Sequence, residues 1–148
     1  MVTDSQYRRR MAVKSNVEAV QESAERQGLQ ATFLMVTFRR VDHWRKMKRE
    51  VTVFFKRLKE RTGRCGVYVW ERGALRGRPH VHCVLDGFVA IGDIEKCKAG
   101  LGYIGHTGIE KTGQTGPAQY MYKEMWKQAG RRDVPGRRWG RFGRLWRG

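Results

Sequence analysis

Acidic residues are scarce in this chain: 14 Asp and Glu stand against 31 Lys and Arg in 148 residues, a formal charge of +17. A small domain with that excess is drawn to polyanions with steep salt dependence, and nucleic acid is a better match than a membrane surface. Cysteine is nearly as sparse. Cys65, Cys83 and Cys97 are odd in number and show no Cys-x-x-Cys spacing, which argues against a disulfide framework and a cysteine zinc site. All three read as small apolar fillers. No apolar run approaches the roughly eighteen residues needed to span a bilayer, and the polar start Met1 to Arg10 lacks the apolar core of a signal peptide. No membrane partner is expected, and a cytoplasmic protein is. Two further absences matter: no phosphate loop of the Gly-x-x-x-x-Gly-Lys-Ser/Thr kind occurs, and no His-Glu-x-x-His helix. A single domain of this length buries about two-thirds of its unfolded surface and needs no disulfide.

Histidine is rare as well, yet two of the four lie two residues apart in Arg78-Pro79-His80-Val81-His82-Cys83-Val84-Leu85. Side chains alternate between the faces of a strand, so both imidazoles point one way while Val81, Cys83 and Leu85 point the other. Such a strand is cored on one side and offers a pair of nitrogen ligands on the other. Taken alone, the pair is equally consistent with two histidines on a solvated strand face.

The surrounding pattern supplies a fold. Val13, Val17, Val20 and Ala24 recur at helical spacing before Gly28, predicting a helix over 14–27. Residues 31–38 are a β-branched and aromatic run suited to a buried central strand. Trp44, Met47, Val51, Phe54, Phe55 and Leu58 then follow helical spacing, with Lys and Arg on the opposite face and Gly63 as stop. Residues 66–71 read as a strand, 72–78 as a glycine-containing loop and 79–85 as the antiparallel return. A short helix over 93–99, an irregular glycine-rich strand over 103–111 and a helix from Pro117 to residue 128 complete the pattern. The order β-α-β-β-α-β predicts an α+β fold of the ferredoxin-like, RRM-like split β-α-β kind. Its central antiparallel sheet carries helices on one face and leaves the other for a metal site. Residues 1–30 read as a helical extension, 31–129 as the core, and 130–148 as a basic Arg/Gly/Trp-rich segment of the same domain.

Glu71 ends one strand of the predicted hairpin and His80 begins its partner, so a carboxylate and two imidazoles can converge on one sheet face. Two nitrogens and one oxygen leave coordination positions open, where a divalent ion can act as a Lewis acid on a phosphoryl oxygen. The plain alternative for Glu71 is an ion pair with Arg72 or Arg76. On the helix from Pro117, Met121, Tyr122, Met125 and Trp126 share one side, and Tyr120, Lys123, Glu124 and Lys127 the other. Tyr122 goes to the core. Tyr120 stays on the polar stripe, where the Lys123 ammonium can attract a phosphate and favour phenolate character. A rim tyrosine beside a solvated lysine describes the same helix.

Taken in order, Glu71, His80-Val81-His82 and Tyr120-Met121-Tyr122-Lys123 resemble the motif set of the HUH endonucleases. More specifically, the likeness is to the rolling-circle replication initiator (Rep) proteins of small plasmids and single-stranded DNA phages and viruses. Phe33-Leu34-Met35-Val36-Thr37-Phe38 is similar to the family's first motif, a strand with a Thr near the active site. The likeness spans residues 31–127, and Gly136-Arg137-Arg138-Trp139-Gly140-Arg141-Phe142 is similar to the segment that trails the catalytic helix. The resemblance implies a metal-dependent, site-specific DNA nickase and strand transferase that starts rolling-circle replication. Glu71, His80 and His82 would hold Mn²⁺ or Mg²⁺. Tyr120 would attack the scissile phosphate to give a 5′-phosphotyrosine and a free 3′-hydroxyl, with Lys123 orienting the phosphate. Thr37, Arg39, Arg40, Lys127, Arg137, Arg138 and Arg141 would contact DNA. Implied partners are single-stranded origin DNA, presented at a hairpin, and a host or partner helicase; no small-molecule cofactor is implied. The setting would be the cytoplasm of a bacterial or archaeal host, or the nucleus for a eukaryotic virus. One departure is Glu124, which stands where some members carry a second tyrosine, so single-tyrosine chemistry is implied.

Other readings use fewer of these residues. A non-catalytic single-stranded nucleic-acid-binding module would share the fold and charge but would not need Glu71 with His80 and His82. A transposase or relaxase of the same endonuclease class is a further alternative. A His-His-Glu zinc hydrolase would leave the motif tyrosine without a task. His43 reads as a helix cap or surface residue and His106 as surface. Trp139, Phe142 and Trp146 interleave with arginines, either as stacking platforms for single-stranded DNA or as anchors that dock the tail.

Overall fold

The computed structural model describes residues 3–72, 77–109, 123 and 134–145. In chain order the elements are α1 (Asp4–Arg26), β1 (Thr32–Phe38), α2 (Trp44–Thr62), β2 (Gly66–Arg72), β3 (Pro79–Leu85), α3 (Ile91–Lys98), β4 (Ile104–Ile109) and β5 (Trp139–Phe142). The strands form one antiparallel sheet in the order β4-β1-β3-β2-β5. β3 lies between β1 and β2, as the predicted split β-α-β arrangement requires. The helix expected over 117–128 lies outside the described residues except for Lys123, which is helical and exposed.

Strand alternation sorts the apolar side chains into two layers. Leu34, Val36 and Phe38 of β1 with Val81, Cys83 and Leu85 of β3 face α2 and α3, meeting Met47, Val51, Phe54, Leu58 and Ile94. The opposite face is covered in part by α1, whose Val13, Val17 and Val20 pack on Phe33, Val67, Val69 and Val84. Sequence periodicity assigned α1 no place in the fold. It also began the helix too late, because residues 4–12 carry little apolar patterning. Helix starts there because Thr3 and Gln6 form a capping box, the Thr3 hydroxyl accepting from Gln6 N–H and the Gln6 side chain from Thr3 N–H.

Asp86, 2% exposed, ties the end of α1 to the sheet. Its carboxylate accepts from Ser23 Oγ at 2.9 Å, Gln27 Nε2 at 3.0 Å and the Cys65 backbone N–H at 3.0 Å, with Arg64 Nη1 3.8 Å away. Removing an acceptor at the centre of a buried polar group strands its donors. Asp86→Ala is therefore expected to lower stability by about 3 kcal/mol, read as a fall in urea midpoint at constant m-value. A loss below about 1 kcal/mol would show that the valine contacts alone hold α1. The three cysteines are buried, as read from the sequence; burial, reinforced by Asp86, pushes the Cys65 thiol up to about 12, so it is unreactive.

β5 was not legible as a strand in its Arg/Gly composition. It pairs antiparallel with β2, bringing Gly66 opposite Phe142. The Phe142 ring stacks on Phe55 with centroids 4.7 Å apart. Gly66 permits that approach: a Cβ there would lie 2.6 Å from the Phe142 ring and 2.7 Å from the Val84 carbonyl oxygen. Trp139 packs against the α1 layer. For these two aromatics docking is the observed role, and Trp146 lies outside the described residues.

Candidate metal centre

The hairpin of β2 and β3 builds the site by register. Glu71 pairs directly with His80, and Val69 with His82. Since Glu71, His80 and His82 share the face that carries Val67, Val69 and Val84, their side chains meet where α1 leaves the sheet open. His82 Nε2 lies 2.8 Å from Glu71 Oε2, and His80 Nε2 lies 3.3 Å from the same oxygen. The two rings are nearly perpendicular, with centroids 4.7 Å apart. One ligand atom from each residue falls within a set spanning no more than 4.8 Å. His82 is buried at 4% exposure, while Glu71 and His80 are partly accessible, so the group is seated below and open above.

This donor set fits a divalent cation. Metal–ligand bonds of about 2.0–2.2 Å hold neighbouring ligands roughly 3 Å apart, and the two contacts to Glu71 Oε2 match that spacing. The outer nitrogen of His80 is also fixed. His80 Nδ1 lies 3.3 Å from the Arg78 carbonyl oxygen, which can only accept. Nδ1 then carries the ring proton, and Nε2 turns its lone pair toward the Glu71 carboxylate. A cation or a second proton relieves that meeting of two acceptors. The three ligands and the open side suit an ion that keeps exchangeable positions.

The first-motif threonine is close by in the sheet. Met35 pairs with His82 across β1 and β3, and Thr37 lies two residues along the same face. Thr37 Oγ1 donates to the His106 carbonyl at 2.9 Å. His106 is exposed, as expected, but its position was not foreseen. A Cβ on Gly108 would come within 2.8 Å of His106 Nε2, so the imidazole lies over Gly108, which pairs with Met35. A register shift between Val36 and Phe38 puts it on the metal-centre face. Gly108 was the only sequence cue. Arg10, 2% exposed, was also missed: it follows the buried register of Val13 and Val17 on α1, adding a cation beneath the helix on this face.

The other expected contacts are dispersed. Arg39 is exposed, and Arg40 pairs with Asp42 at 2.8 Å while lying 5.0 Å over the Tyr103 ring. Arg137 sits 4.6 Å over Trp139, and Arg138 Nε donates to the Trp70 carbonyl at 3.3 Å. Arg141 is exposed and reaches Asn16 Oδ1 at 3.4 Å. These contacts make Arg137 and Arg138 part of the tail's docking as well as of its charge. His43 caps α2, its Nδ1 accepting from Lys46 N–H at 3.3 Å. Tyr120 and Lys127 lie outside the described residues.

An antiparallel split β-α-β sheet carrying a two-histidine, one-carboxylate group on its open face defines an α+β protein with a possible metal centre. A family model, that of the replication-associated proteins of the ORF2 and gene II protein type, matches residues 31–129, and the chain belongs to this family. No curated protein and no solved structure matches it. Membership carries a role in replication initiation, and the His/Glu group is compatible with an enzyme. Among the described residues no helix is long and apolar enough to cross a membrane.

Proposed function

We propose that this protein is an HUH-type initiator that nicks single-stranded origin DNA and rejoins it through a tyrosine-linked intermediate, starting rolling-circle replication. The observation that carries this reading is the convergence of His80 and His82 Nε2 on Glu71 Oε2, at 3.3 and 2.8 Å, on an open sheet face in a chain of net charge +17.

In this reading Glu71, His80 and His82 hold Mn²⁺ or Mg²⁺, which when bound supplies charge neutralisation for the phosphoryl oxygens of the scissile bond. The Tyr120 hydroxyl gives up its proton and its oxygen bonds to phosphorus. The bond from phosphorus to the 3′ oxygen breaks, that oxygen takes up a proton, and the 5′ phosphate stays on the tyrosine. Because one phosphodiester replaces another, the bond energy is retained, and attack by a 3′-hydroxyl reverses the step. Lys123 orients the phosphate. Thr37, Arg39 and Arg40 lie at the end of β1, Arg137, Arg138 and Arg141 around β5; these, with Lys127, hold the strand. Unwinding falls to a host or partner helicase, and an origin hairpin presents the single strand.

The test is incubation with a labelled library of single-stranded hairpin-bearing origins and Mn²⁺, followed by a denaturing gel. A metal-dependent protein–DNA adduct is expected. Tight DNA binding without any adduct would replace the reading with that of a binding module.

A further inference from the structure

We propose that the solvent face of α2 is a second nucleic-acid surface, a track for the phosphate backbone of double-stranded DNA on the side of the sheet opposite the metal centre. This goes beyond the nicking reading and does not depend on it. At 3.6 residues per turn, Arg45, Arg49, Thr52, Lys56 and Lys59 fall in one stripe along the helix, opposite the buried Met47, Val51, Phe54 and Leu58. All five stripe residues are exposed.

What distinguishes this stripe is that its charge is unanswered. Among the described residues none of its four cations makes an ion pair. On α1, by contrast, Lys14 and Glu18 lie 4.0 Å apart and Arg26 and Glu22 3.6 Å apart at helical spacing. α3 likewise pairs Lys98 with Glu95 at 3.4 Å. α2 holds two acids, and neither neutralises the stripe. Glu50 turns away to accept the backbone N–H groups of Tyr103 at 2.9 Å and Ile104 at 3.3 Å, and Glu60 only borders the final turn. Lys48 is withdrawn too, donating to the Arg137 carbonyl, and burial with the nearby Arg138 charge lowers its pKa to about 8. Like charges one turn apart repel and weaken a helix. A row of them left unpaired on one helix, while the other helices pair theirs, points to an anionic partner.

The stripe favours a duplex over a single strand. Single-strand surfaces combine positive charge with aromatic platforms on which bases stack. Here Phe54 and Phe55 are buried, and Trp44 is turned against Trp70 with ring centroids 5.8 Å apart. A straight rod of cations about 21 Å long, one turn apart, offers phosphate contacts without base contacts, which suits a rigid duplex backbone. DNA flanking the origin would then lie on α2 while the unpaired strand occupies the opposite sheet face.

The test compares the full-length chain with the variant carrying Arg45→Gln, Arg49→Gln, Lys56→Gln and Lys59→Gln. The probes are a blunt DNA duplex and an oligothymidylate, read by fluorescence anisotropy across a KCl series. For the duplex, the slope of log affinity against log salt should fall by about 3 to 4, four contacts at roughly 0.9 each, while the oligothymidylate slope stays as in wild type. Mn²⁺ binding and thermal midpoint report whether the fold is retained. Should the quadruple variant not fold, Arg49→Gln with Lys56→Gln carries the same test with an expected fall of about 2. An unchanged duplex slope overturns the proposal, and so does an equal loss on both probes, which would make the stripe a general or single-strand contact. Absence of a covalent adduct from wild type would sink the nicking reading and leave this measurement intact.

Discussion

Replacing Tyr120 with phenylalanine should abolish the covalent protein–DNA adduct, with cleavage falling by at least about 10⁴-fold. The change removes the one oxygen that must bond to phosphorus and keeps the ring, so metal and DNA binding should remain close to wild type. Tyr122→Phe is the control. The two tyrosines lie about two hundred degrees apart around one helix and cannot both face the sheet. The expected result for Tyr122→Phe is an intact adduct, with a loss of stability where its hydroxyl had a buried partner. Mass spectrometry of the trapped peptide decides between them: a nucleotide on Tyr122 would reverse the assignment of helix faces, and none on either would remove the nucleophile from the mechanism.

The second large effect is expected at the metal centre. His80→Ala combined with His82→Ala leaves Glu71 as a lone carboxylate, and Mn²⁺ affinity measured by calorimetry should drop by well over about 100-fold, the loss that even an outer-shell change can reach. Cleavage should fall with it. His82 is 4% exposed, so its truncation opens a cavity, and circular dichroism must show that the variant is folded. Glu71→Gln keeps the volume and removes the charge, and it should weaken Mn²⁺ without that packing defect. Equal Mn²⁺ binding by the wild-type and double-alanine proteins would mean that the three side chains are a hydrogen-bonded cluster and not a ligand set.

Both predictions rest on features of very different visibility. The His-x-His pair could be read directly, because alternation along a strand is a local property of the backbone and a short loop fixes which strand returns beside it. Glu71 opposite His80 follows from the same hairpin. The amphipathic pattern of α2 was equally plain, since its buried positions recur every three or four residues. The sheet order was recoverable from the order of the elements.

What lies far apart in sequence was not recoverable. Nothing local says that α1 crosses the face carrying the metal centre; Ser23 and Asp86 decide that across 63 positions. Nothing local marks Trp139 to Phe142 as a strand either, because four residues with a central glycine and arginine gain their ladder only when the β2 edge is present. His106 and Arg10 escaped for the same reason, one placed by a register shift and one by the packing of a helix whose first turns carry little apolar signal. The sequence by itself determined the types of residue at the centre, the strands that carry them and the overwhelming positive charge. Only the tertiary structure decided which part of that face stays open, how the C-terminal segment is seated and which cations remain unpaired. Those outcomes depend on contacts whose loop-closure entropy is met only when the whole core forms, so no short window of sequence contains them.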